Sequence, residues 1–220
     1  MASKIYQNYI KRVLDFVFAL LLLILLSPLL LVVTLWLHFA NKGAGAFFTQ
    51  ERPGKDEKIF KLYKFKSMTD ERDAEGNLLP DAERITRAGR FVRSTSIDEL
   101  PQLWNVLKGD MSFIGPRPLT PIYLQVMSDY YRQRHKVRPG ISGLAQVKGR
   151  SDLKLSRKFR YDVFYAHHIS FGLDVKIVVE TIFKVLKKQN VGEGNTGMKD
   201  IDDLDYLPRI MAIVDRENNA

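Results

Sequence analysis

From Phe16 to Leu37 the chain reads FVFALLLLILLSPLLLVVTLWL, twenty-two residues without a formal charge. No other stretch restricts the fold as much. A continuous helix of this length is roughly 33 Å long, close to the hydrocarbon thickness of a bilayer. It is apolar on every face, so it belongs in lipid or deep in a core. A cleavable signal peptide fits poorly: the run exceeds an ordinary signal core, and the nearest small-residue site is Ala44 with Ala46. Ser27-Pro28 lies at the midpoint, where proline removes a helical hydrogen bond and kinks the chain. Each arm then measures roughly 15–22 Å, too short to cross alone. The flanks match in sign, with Lys4, Lys11 and Arg12 before the run and Lys42, Arg52 and Lys55 after it. The positive-inside rule therefore selects no orientation. A re-entrant helix–break–helix with both ends in the cytoplasm satisfies both flanks; a kinked span is the alternative, since spanning helices tolerate proline.

The rest of the chain is polar and unevenly charged. Of a net +9, residues 40–150 carry +7 and residues 191–220 carry −4. This balance favours an anionic partner: lipid headgroups, nucleic acid or a phosphorylated substrate. Zero cysteines exclude a disulfide scaffold, thiolate metal sites and a cysteine nucleophile. No nucleic-acid-binding motif accompanies the basic residues, so no nucleic-acid partner is expected.

Two strands, Ala46–Gln50 and Lys58–Lys66, are predicted around Pro53-Gly54. Residues 81–93 read as a helix bearing Arg84, Arg87, Arg90 and Arg93 at intervals of three. Ser96-Ile97-Asp98-Glu99 fits a capping box, followed by the apolar stripe Leu100, Leu103, Trp104 and Leu107. On spacing alone, Asp98 and Glu99 are fully accounted for as acids set against a helix dipole. Gly115-Pro116-Arg117-Pro118 is a different matter. Prolines fix that backbone, and a guanidinium so held suits bidentate phosphate recognition; Arg138-Pro139-Gly140 repeats the device. The adjacent His167 and His168 point to different helix faces and are expected to be structural or interfacial rather than to share a metal. Residues 173–188 form an amphipathic helix suited to core packing or to a membrane surface. Residues 191–220 read as an acidic tail, with enough apolar side chains over Tyr206–Val214 for a short packed or partner-binding element.

Several long motifs, in order, resemble the bacterial sugar transferases, the monotopic phosphoglycosyl transferases. They are KRVLDF at 11–16, SP at 27–28, FTQERPG at 48–54, KFKSM at 64–68, STSIDELPQLWNVLKGDMSFIGPRPL at 94–119 and VRPGISGLAQVKGR at 137–150. The length is similar to the small form of the family, such as the N-glycosylation pathway transferase of phospho-bacillosamine. The resemblance implies an α+β fold. It comprises a re-entrant hairpin broken at Ser27-Pro28 over residues 1–42, a mostly helical catalytic domain over 43–190 with a small β-hairpin and interfacial helices, and the tail over 191–220. It implies transfer of a phosphosugar from a UDP-sugar to undecaprenyl or another polyprenyl phosphate, at the cytoplasmic face of the bacterial inner membrane. That would be the first membrane step of glycoconjugate assembly. Asp98 would be the nucleophile and Glu99 would help hold Mg²⁺. Arg117 would contact phosphate, and membrane lipids would surround the hairpin; from the charge of the +7 segment itself, Lys64, Arg93 and Arg138 are further candidates for binding substrate. After Gly149-Arg150 the family usually continues toward a Trp, whereas this chain reads SDLKLSRKF. The sugar and the oligomeric state are left open. A non-catalytic basic scaffold or a nucleic-acid-binding protein is the alternative.

Overall fold

The computed structural model describes residues 2–149, 153–186 and 201–218. The apolar run lies within a 30-residue α-helix, Lys11–Ala40, preceded by helical turns at Ala2–Ile5 and a π-helical stretch at Tyr6–Ile10. Among the described residues it is the only helix long and apolar enough to cross a bilayer. The break expected at Ser27-Pro28 does not interrupt the helix, which continues through Pro28. The reason is local. Pro28 has no N–H for the carbonyl of Ile24, and Ser27 Oγ donates to that same carbonyl at 2.8 Å. Only Asp15, Ala19, Val33 and Leu37 of this helix are buried, while Leu21, Ile24, Leu25, Leu31 and Val32 are each more than half exposed. A band of this size and apolarity fits lipid rather than water.

The polar body lies along the helix and grips both of its arms. Ala19 packs with Leu62, Val106 and Met111, and Val33 and Leu37 pack with Ala46, Phe65, Ala88 and Val92. Trp36 meets Phe91 edge to face at 5.7 Å, and Arg12 donates to the carbonyls of Val106 and Leu107 at 2.6 and 2.8 Å.

Strands β1 (Phe47–Pro53) and β2 (Ile59–Phe65) form the expected antiparallel hairpin, with Phe47 opposite Phe65 and Pro53 opposite Ile59. A second, parallel pair was not foreseen: β3 (Ser112–Ile114) beside β4 (Gly140–Ser142). Three-residue strands leave no periodicity to read. Here the two proline–glycine segments interlock, Gly140 N donating to Pro116 O at 3.0 Å and Gly115 N to Ser142 O at 2.9 Å. A Cβ on Gly140 would fall 2.1 Å from Gly115 N, so these glycines serve close backbone approach.

The helix expected over 81–93 is two, Asp81–Arg84 and Arg87–Ser94, because Thr86 caps the second by accepting from Gly89 N at 2.9 Å. Arg84 leaves the basic stripe, turning back to Leu79 O at 2.7 Å. The helix Phe171–Leu186 buries Ile177 and exposes Phe171, Val175, Val178, Val179, Ile182 and Phe183; Lys187 and Lys188 lie outside the described residues. At the end of the chain, Tyr206–Asn218 is a helix whose Tyr206 is buried against Val126, Met127, Leu155 and Phe159. Aromatic packing overrides the acidic composition there, so this part of the expected tail is built into the body. Residues 191–200 lie outside the described residues.

Candidate active site

Asp98 and Glu99 occupy a 3₁₀ turn, Ile97–Glu99, ahead of the helix Gln102–Lys108. The expected capping box is absent. Ser96 takes a left-handed backbone with φ of 57°, and its side chain caps nothing. Glu99 is drawn away from the backbone because two cations compete for it. Lys64 Nζ on β2 donates to Glu99 Oε1 at 3.0 Å, and Arg117 Nη2 donates to the same oxygen at 2.6 Å. Charge-assisted bonds of this kind outweigh a neutral backbone contact. Pro101 then starts the main helix, where its missing N–H costs nothing.

Asp98 has no such partner; its nearest cation is Lys64, at 4.0 Å. The two neighbouring carboxyls therefore diverge. Burial pushes Asp98 up to about 6, Lys64 only partly opposing it and the charge of Glu99 adding to it. Burial also pushes Glu99 upward, but Arg117 and Lys64 outweigh it and hold that carboxyl at about 2. A pair of acids separated in this way divides the labour: one stays ionised and ion-paired, the other is a more basic, unneutralised carboxylate.

Of the basic residues predicted to bind substrate, the structure brings Lys64 and Arg117 onto the dyad. Arg93, exposed at the end of the Arg87–Ser94 helix, acts on Asp98 only through its charge. Arg138 is placed elsewhere: its Nε donates to Gly109 O at 2.8 Å, beyond the far end of the helix Gln102–Lys108. His167 pairs with Gln133 and His168 with the Phe164 carbonyl. Among the described residues no group of three or more His, Asp or Glu gathers for a metal. Mg²⁺, however, needs only one or two carboxylates besides substrate phosphates. The dyad fits that requirement, since Glu99 Oε2 carries only a long 3.5 Å contact and Asp98 is bound by no donor closer than Lys64.

Two residues that hold this arrangement escaped the sequence reading. Asn105 is fully buried, accepting from Tyr63 N at 3.0 Å and donating to Lys61 O at 2.8 Å, so it ties the helix to the open edge of β2 beside Lys64. Its only signal was a polar residue between the buried Leu103 and Val106. Arg134, also buried, donates to Asp162 Oδ2 from Nε and Nη2 and to Arg117 O at 2.6 Å, fixing the backbone of the Arg117 turn. In the basic run around it, burial cannot be read. Asn105→Ala should cost about 2–4 kcal/mol by leaving two backbone groups unpaired. A thermal melt should show this, with turnover falling more than the folded fraction because Lys64 loses its registration.

Residues 6–188 match the bacterial sugar transferase family. The chain belongs to that family. It is 47% identical over 186 residues to the uncharacterized sugar transferase EpsL of Bacillus subtilis, covering 84% of this chain and 92% of that protein. It is 41% identical over 184 residues to the UDP-glucose:undecaprenyl-phosphate glucose-1-phosphate transferase of Klebsiella pneumoniae, covering 79% of this chain but 39% of that protein. The UDP-N-acetylgalactosamine-undecaprenyl-phosphate N-acetylgalactosaminephosphotransferase of Aeromonas hydrophila is 39% identical over 196 residues, 84% of this chain and 45% of its own length. The sugar transferase described here thus spans under half of these two larger relatives, and the dyad, Lys64 and Arg117 all lie inside the matched segment.

Proposed function

We propose that this transferase moves a phosphosugar from a UDP-sugar to a polyprenyl phosphate through a covalent intermediate on Asp98. The observation that carries the reading is the split dyad, in which Glu99 is neutralised by Lys64 and Arg117 while Asp98 is left more basic, with no cation nearer than Lys64 at 4.0 Å. In the first step an Asp98 carboxylate oxygen bonds to the sugar-linked phosphorus, and the bond from that phosphorus to the bridging oxygen breaks, releasing UMP. In the second, a phosphate oxygen of the polyprenyl phosphate attacks the same phosphorus, the Asp98–phosphorus bond breaks, and the carboxylate returns. Relatives named for UDP-glucose, UDP-N-acetylgalactosamine and undecaprenyl phosphate support the substrate classes. Half-exposed Arg117 is positioned to hold a diphosphate oxygen as well as Glu99. Mg²⁺, held by Glu99 and the diphosphate of the donor, would screen the charge between reactants that are both anions. The separation of steps has a physical advantage: a water-soluble donor and a lipid-borne acceptor need not arrive together.

The experiment is a half-reaction. With Mg²⁺ and UDP-sugar but no polyprenyl phosphate, the enzyme should release up to one equivalent of UMP and gain the mass of one phosphosugar. UMP release that strictly requires the lipid, with no trapped adduct, would make direct transfer the better account.

The membrane placement belongs to the same proposal. A helix that crossed the bilayer could not have a charged body against both Ala19 and Leu37, since one contact would lie inside hydrocarbon. The arrangement these contacts support is a re-entrant helix that dips into one leaflet without the expected break, with both helix ends and the body at the cytoplasmic face of the bacterial inner membrane. Cysteines introduced at Ala2 and Lys42 should be labelled by an impermeant reagent from the cytoplasmic side only; outside labelling of Ala2 would refute it.

A further inference from the structure

A cleft of about 130 Å³ lies away from the dyad. It sits past the C-terminal end of the helix Gln102–Lys108, whose N-terminal side carries Asp98 and Glu99; roughly 10 Å of helix separates the two places. Five basic residues from three chain segments converge on it: Lys11 and Arg12, Lys55, and Lys136 with Arg138. The carboxylate in its lining, Asp15, is buried and already accepts from Ser112 Oγ and Phe113 N, both at 3.1 Å.

Part of this cationic group is accounted for by the fold. Lys11 pairs with Asp174 at 2.7 Å, and Arg12 caps the helix carbonyls of Val106 and Leu107. The remainder is not. Lys55 and Lys136 make no ion pair among the described residues, and Arg138 uses only Nε, on Gly109 O, leaving both terminal nitrogens without a partner. Arg12 and Arg138 are close enough to repel, each held in place by backbone carbonyls rather than by an anion. Like charges facing a cleft of this size suit a compact oxyanion such as a tetrahedral phosphate. Position narrows the choice further. The lining residues 11, 12 and 15 immediately precede exposed Phe16, Val17 and Phe18, so the membrane placement proposed above, on which this step rests, sets the cleft at headgroup depth.

We infer that this cleft is a second anion site, separate from the dyad, which takes a phosphate-bearing group at the membrane surface. The shared chemistry is a phosphate oxyanion, supplied by an anionic phospholipid headgroup or by free phosphate. Occupancy would pin the start of the membrane helix to the loops at residues 55 and 136, coupling helix depth to lipid charge.

The test uses the full chain in neutral detergent and no turnover. Thermal midpoints are measured for the wild type and for Lys55→Ser/Lys136→Ser with added phosphatidylglycerol, phosphatidylcholine or inorganic phosphate. Both substituted lysines are exposed, so the variant should fold. Phosphatidylglycerol should raise the wild-type midpoint, phosphatidylcholine should not, and the variant should bind phosphatidylglycerol roughly thirtyfold more weakly, as expected for two interfacial lysines. A shift with inorganic phosphate, also lost in the variant, would support the site and name the soluble source. Equal shifts in wild type and variant, or none in either, would overturn the inference. None of these outcomes depends on the proposed covalent step.

Discussion

Asp98→Asn should end UMP release and adduct formation in the half-reaction while making the protein more stable at pH 7.5. The activity loss follows because an amide cannot form the bond to phosphorus; a fall of at least about a thousandfold is expected for a lost nucleophile. The stability gain follows from burial. Asp98 is pushed up to about 6, so keeping it ionised in the folded protein is unfavourable. A carboxyl raised in this way contributes stability while protonated and loses it as pH climbs through about 6. Wild type and variant should therefore melt alike below about pH 4 and diverge between pH 4 and 6. Above that the variant should be favoured by about 2–3 kcal/mol, several degrees of thermal midpoint. If Asp98 were only a helix cap, Asn would be tolerated with activity intact. On the proposed mechanism the wild-type rate of the half-reaction should also fall as pH drops below about 6, as Asp98 takes up a proton.

Arg117→Lys should impair turnover by about a hundredfold despite conserving charge. The guanidinium donates to both Glu99 oxygens, at 2.6 and 3.5 Å, and its turn is held by Pro116, Pro118 and the bond from Arg134. An ammonium in its place offers a point charge and cannot present a planar fork to a carboxylate and a phosphate together. The informative readout is the pH profile. With weaker support for Glu99, the two carboxyls should couple more strongly and the acid limb should move. Near-normal kinetics with an unchanged profile would assign Arg117 a structural role.

Much of this was legible in the sequence because the signals were long or rigid. The 22-residue apolar run, the β-hairpin flanking Pro53-Gly54 and the Pro-Arg-Pro turn each announce themselves by composition alone. Asp98-Glu99 was visible as a motif, but its local geometry was misread. A capping box is a contest for Glu99 between a backbone N–H and other donors, and the winners, Lys64 and Arg117, are 35 and 18 residues away. The same limit explains Arg138, whose proline-fixed turn copies that of Arg117 while its side chain serves the opposite end of a helix. Asn105 and Arg134 act through burial, and the β3–β4 pair through close glycine contact, neither of which leaves a periodic trace. The Ser27-Pro28 break was read from proline at mid-run, from the matching basic flanks and from the family resemblance, without the Ser27 hydroxyl that compensates for it.

The double grip of the body on the apolar helix means that the catalytic unit has no severable soluble half. Cutting before Gly43 would strip Ala19, Val33 and Leu37 out of two cores and Arg12 off the helix that follows the dyad. The fragment left behind would expose those cavities to water and lose its shape, so the anchor is itself one wall of the enzyme. Extraction conditions then double as folding conditions: a detergent harsh enough to peel the helix from the body acts as a denaturant. An evolving lineage, for the same reason, has no easy route from this architecture to a freely diffusing transferase.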